Sequence, residues 1–141
     1  MIVVIDTNTV LQALAARNIL RPLMEAWFNG ALVWAVSTEI LLEYEEIITL
    51  CSGNARWRNL TAMLDVVEEL RPANLKFVSP TYRFHLIVAD PDDDKFADCA
   101  IAAEAEWIIT EDTHFHAMKG SGHKPQPISP EDFIRRFLGG Q

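Results

Sequence analysis

Four acidic residues spread along the chain, Asp6, Glu43, Asp98 and Asp112, have the types and settings needed to hold a divalent cation. Two unit charges about 4 Å apart repel by ~4 kcal/mol at an effective dielectric near 20, so acids gathered in one pocket need such an ion. Oxygen-only ligands favour Mg²⁺ or Mn²⁺ over zinc. Ions of that kind activate water and stabilise charge on a phosphodiester during in-line attack. No nucleophilic side chain is then required.

The acids can meet only if the elements around them converge. Ile2-Val3-Val4-Ile5 is a continuous β-branched run, and it predicts a strand buried on both faces. Asp6 follows it directly. Leu32 to Val36 and Trp107 to Thr110 predict two further strands, and Asp112 lies just past the second. Lys76-Phe77-Val78 and Leu86-Ile87-Val88 are weaker strand candidates. Helical patterns alternate with these runs, which indicates an α/β fold with a mainly parallel sheet. In such a sheet the strands end on one edge, and ligands bind there.

Helix phase selects the other two acids. Ser37 is placed to cap a helix that runs to about Cys51. Ile40, Tyr44, Ile47 and Cys51 form its apolar stripe, and Glu43 borders that stripe about 60° from its centre. Glu39, Glu45 and Glu46 fall on the outward side. An alanine-rich helix is expected over residues 95–106, with Asp94, Asp98, Ile101 and Ala105 on one face. The alanines at 97, 100, 102, 103 and 105 allow close approach to the sheet.

Other segments read more plainly. Trp57, Leu60, Leu64 and Val67 predict a further helix after a break at Ser52-Gly53-Asn54. Residues 119–127 read as a Gly/Pro-rich loop. Ser129-Pro130-Glu131-Asp132 starts a last helix, with Phe133, Ile134, Phe137 and Leu138 on its buried side. His114, His116 and His123 read as surface loop residues rather than zinc ligands. The four tryptophans fall at apolar phases and read as core.

The 141 residues fit one domain, 1–141, and 50% of them are apolar, enough for a sizeable core. The net charge of -8 argues against a passive nucleic-acid binder with a basic face, though not against an acid-pocket enzyme. Cys51 and Cys99 have neither zinc-site nor disulfide-framework spacing. Both read as buried thiols of a reducing cytoplasm. The N-terminal MIVVIDTNTV lacks the basic region of a signal peptide, and no apolar run is long enough for a membrane span. A cytoplasmic location is therefore expected.

In order, IVVIDTN, STEILLEYEEII and DKFADCAIAAEAEWIITEDTHF resemble the motif blocks of the PIN-domain nucleases. The likeness spans nearly the whole chain. The family's Asp-x-x-x-Ala helix matches Asp98 and Ala102, and its Thr-x-Asp strand end matches Thr110 and Asp112. The acid-rich DPDD turn is similar to that of a PIN subgroup of toxin components. The resemblance implies a three-layer α/β/α sandwich and Mg²⁺- or Mn²⁺-dependent cleavage of RNA. It also implies a homodimer and an antitoxin protein as partner. Asp94 is a further candidate for the metal, directly or through water. Asn8 and Thr110 are candidates for supporting contacts.

Two other readings bear on the same residues. The chain could keep the fold as a catalytically weak module that binds RNA or an antitoxin. A phosphatase of the haloacid-dehalogenase kind needs a second acid where Asn8 stands, and a receiver domain needs a paired early acid and a late strand-end Lys. Neither pattern is evident.

Overall fold

A computed structural model describes residues 1–80, 94–120 and 124–139. Five strands form one sheet: β1 (Ile2–Ile5), β2 (Val33–Val36), β3 (Leu75–Phe77), β4 (Trp107–Ile109) and β5 (Gln126–Ile128). Their order is β3-β2-β1-β4-β5, and every pairing is parallel. The chain winds outward from β1 to β3 and then returns to the other side of β1. The winding therefore reverses between β1 and β4.

The helices are α1 (Thr7–Ala13), α2 (Arg21–Phe28), α3 (Thr38–Ser52), α4 (Asn54–Leu70), α5 (Asp94–Ala103) and α6 (Pro130–Phe133). Parallel crossovers are right-handed as a rule, and with this strand order that rule places α1 to α4 on one face of the sheet and α5 on the other, three α/β/α layers. Contacts of α5 run to β1, β2 and β4. Ser37 caps α3 by accepting from the Ile40 amide, and Ser129 caps α6 by accepting from the Asp132 amide. Past α6 the chain continues as a π-helical turn, Ile134–Leu138, which packs on α2.

A row of aromatic rings crosses the core. Trp27 and Trp34 meet edge to face at 4.8 Å, Trp34 and Tyr44 lie 5.7 Å apart, and Phe96 lies 6.5 Å from both Tyr44 and Phe115. All five rings are fully buried. The Tyr44 hydroxyl donates to the Ile5 carbonyl, which ties α3 to the end of β1. Trp34 Nε1 is the one fully buried side-chain polar atom without a hydrogen bond among the described residues.

Several expectations need correction. Cys51 is exposed, because the whole corner between α3 and α4, residues 51–55, lies outside the core. Ile48 rather than Ile47 completes the buried stripe of α3. Ala102 is exposed and does not help α5 approach the sheet. Phe137 is 36% exposed. Within the expected loop 119–127, Gln126 begins β5. Proline is tolerated there because β5 is an edge strand, where a missing N–H costs no ladder bond. The strand candidate Leu86-Ile87-Val88 and His123 lie outside the described residues.

Candidate active site

Asp6 and Thr110 are the residues immediately after Ile5 and Ile109, which are paired in register. They stand side by side at the carboxyl edge, at the point where the winding reverses. Crevices at such points are the usual ligand sites of open parallel sheets. The Asp6 amide donates to the Ile109 carbonyl at 3.0 Å, so the edge is still ladder-bonded here.

The Asp6 carboxylate is 8% exposed and doubly held. Oδ1 accepts from the Thr7 amide at 2.7 Å, which caps α1, and Oδ2 accepts from the Thr110 hydroxyl at 2.8 Å. Burial is the main reason its acidity is weakened and its pKa lies above 3.8. The two hydrogen bonds oppose that shift, while the negative charges of Asp112 and Glu43 add to it. Asp6 thus feels two of its three expected partners directly.

Thr110 links Asp6 to Asp112, since its hydroxyl oxygen also accepts from the Asp112 amide at 2.9 Å. Asp112 opens a 3₁₀ helix, Thr113–Met118, by accepting from the His114 amide at 2.9 Å. His114 Nδ1 lies 3.2 Å from the same oxygen. Asp112, Thr110, His116, Lys119, Trp107 and Arg136 border a cleft of about 680 Å³.

Glu43 is held from two sides. Its Oε2 accepts from the Thr7 hydroxyl, and its Oε1 pairs with Lys95 Nζ at 2.7 Å. The Glu43 side chain is 23% exposed, whereas Glu39, Glu45 and Glu46 face solvent. Asp98 lies one turn beyond Asp94 on α5, and both are buried. With Lys95 and Ser37, Asp98 borders a second cleft of about 210 Å³ between the start of α3, the end of β3 and α5. Asn8 is exposed.

The site residues therefore fall into two groups, the first of them tied together by Thr7 and Thr110. Asp6, Glu43 and Asp112 share one electrostatic neighbourhood, and Asp98 opens to the adjoining cleft. Among the described residues, no three Asp, Glu, His or Cys side chains are close enough as placed to share an ion. The donor chemistry nevertheless suits a hard cation: the converging groups are carboxylates, and a positive charge, the Lys95 ammonium, already rests on one of them. Sequence pattern alone does not single out Thr7 and Lys95. The signal for Thr7 was its place between Asp6 and Asn8. The signal for Lys95 was a lone cation beside the acids at a helix start.

A family model described as PIN domain matches residues 2–114. The chain belongs to the PIN-domain family. A search of curated proteins found no match, and a search of solved structures found none. The PIN match takes in β1 through the start of the 3₁₀ helix after β4, and with them Asp6, Glu43, Asp94, Asp98 and Asp112. PIN domains are in general metal-dependent nucleases with divalent ions, and the five-stranded parallel sandwich agrees with that fold. No helix among the described residues is long and apolar enough to cross a membrane.

Proposed function

We propose that this PIN domain is a Mg²⁺- or Mn²⁺-dependent endoribonuclease, acting as the toxin of a toxin–antitoxin pair. The observation that carries the reading is the Asp6 carboxylate. It is buried at the switch point between β1 and β4 and burdened by the charges of Asp112 and Glu43. A buried acid with acidic neighbours is costly unless a cation joins it.

Asp6, Glu43, Asp98 and Asp112 are the residues that would hold the ion. Bound there, a divalent cation supplies the Lewis acidity for phosphodiester hydrolysis. The chain's own groups do the positioning. Thr7 and Thr110 fix both oxygens of Asp6, and Thr110 also fixes the backbone of Asp112. Water adds its oxygen to phosphorus, the bond to the leaving ribose oxygen breaks, and a proton from that water ends on the leaving oxygen. Asp6→Asn and Asp112→Asn are each expected to fold and to lose cleavage of single-stranded RNA. Cleavage at the parent rate by either variant would remove that residue from the site.

A second reading has an observation of its own. Asp6 and Asp112 both cap helices, and the acids as placed do not form a closed ligand shell. A PIN fold that binds RNA or an antitoxin with little turnover would use the same residues for structure alone. Mn²⁺ titration alongside a panel of single-stranded RNAs separates the two. Metal binding without turnover on any RNA favours the second reading.

A further inference from the structure

We propose that the cleft between α3, β3 and α5 is a phosphate subsite for the RNA backbone, with Lys95 as its cation. The inference rests on the nuclease reading above and extends it. Lys95 is the only basic residue bordering that cleft among the described residues, beside the hydroxyls of Ser37, Thr38 and Ser79. A chain of net charge -8 repels a polyanion over most of its surface, so a local cation beside the acids decides where phosphate can approach. Two acids also border the cleft: Glu39, exposed on the outer side of α3, and Asp98, buried and among the residues that would hold the ion.

The Lys95 side chain is 19% exposed and rests on Glu43 Oε1 at 2.7 Å. Glu43 Oε2 is meanwhile taken by Thr7, so both oxygens of this acid are engaged. Lys95 and a divalent ion therefore compete for Glu43. A doubly charged ion that takes Glu43 releases the ammonium into the cleft, where an RNA phosphate is its natural partner. Lys95 thus has two positions, parked on Glu43 without ligands and on phosphate with them. It is a substrate-positioning residue.

The test compares the parent with Lys95→Met and Lys95→Arg, using a hydrolysis-resistant single-stranded RNA with 2′-O-methyl, phosphorothioate linkages. RNA binding is read by fluorescence anisotropy in Mn²⁺ across a salt series, and Mn²⁺ binding without RNA is read by electron paramagnetic resonance. Lys95→Met is expected to bind the RNA more weakly, with a salt slope shallower by about 0.7, the value of one lost single-strand phosphate contact. Its Mn²⁺ affinity without RNA is expected to rise, because Glu43 is no longer occupied. Lys95→Arg is expected to keep the parent's salt slope. A parent-like slope and RNA affinity in Lys95→Met overturn the subsite while leaving the metal-dependent nuclease reading intact. A shallower slope in a protein that binds no Mn²⁺ keeps Lys95 as a phosphate contact but overturns its release from Glu43 by a metal. No RNA binding by the parent removes both the subsite and the RNA-cleaving reading. Thermal unfolding of both variants shows whether they are folded, and a misfolded Lys95→Met leaves the decision to Lys95→Arg against Lys95→Gln.

Discussion

The aromatic row and the acid edge are built by the same elements and have opposite energetics. On α3, Tyr44 enters the core and its neighbour Glu43 goes to the edge; on α5, Phe96 enters the core and Asp98 goes to the second cleft. Burying the rings removes apolar surface from water and stabilises the fold. Burying the acids does the reverse, as the raised pKa of Asp6 records. The edge persists because the rings and the ladder around it hold its acids in place. Strain of this kind, tolerated at one spot and supported from elsewhere, is what a binding site requires.

This contrast can be broken from either side. The largest change is expected on α5. Phe96→Ala should cost about 3–5 kcal/mol of stability, seen in urea unfolding, because it opens a cavity between Tyr44 and Phe115. Asp98→Asn, two residues away, should leave unfolding nearly unchanged and lower RNA cleavage by about 10²-fold or more, the scale of losing one group from a preorganised charge centre. If Asp98→Asn unfolds as easily as Phe96→Ala, the division between the two regions is wrong.

Ser37→Ala tests the frame that presents Glu43. It should cost about 1 kcal/mol through loss of the α3 cap, again by urea unfolding. Asp6→Asn gives a smaller effect of opposite sign. The folded-state pKa of Asp6 is raised, so the folded protein has its full stability below the unfolded value of 3.8 and loses part of it as pH rises through the folded value. In EDTA, Asp6→Asn should therefore melt at a higher temperature than the parent at about pH 7, with the gap closing at about pH 4. An equal or lower melting temperature at neutral pH would contradict the strain assigned to Asp6. The two thiols give the mildest comparison. Burial pushes Cys99 up to about 12, so it should resist iodoacetamide at about pH 8, while exposed Cys51 reacts. Modification of both at similar rates in the native protein would show that the core around Cys99 opens readily.

Much of this organisation was legible in the sequence. The apolar runs at Ile2–Ile5 and Trp107–Ile109 are strong strand signals, and Asp6 directly after the first and Asp112 three residues past the second mark the edge. The phase of α3 separated Glu43 from its three outward neighbours without any tertiary information. What pattern could not supply was the fate of elements defined by position. β5 is short and carries Pro127, so it reads as loop until the exposed side of β4 is seen to need a neighbour. Cys51 has the right phase for burial but lies on an exposed corner. The contacts of Thr7 and Lys95 with Glu43 join residues 36 and 52 positions apart, and only the folded sheet brings them together.

The central claim is that the acids at the β1–β4 switch point work through a divalent ion to cleave RNA. The most direct measurement is cleavage of a labelled single-stranded RNA by the purified protein, first with Mg²⁺ or Mn²⁺, then with excess EDTA, then with the ion restored. The expected result is cleavage that stops with chelation and returns with the ion. Cleavage that continues in EDTA, or no cleavage of any RNA with either ion, would contradict the claim.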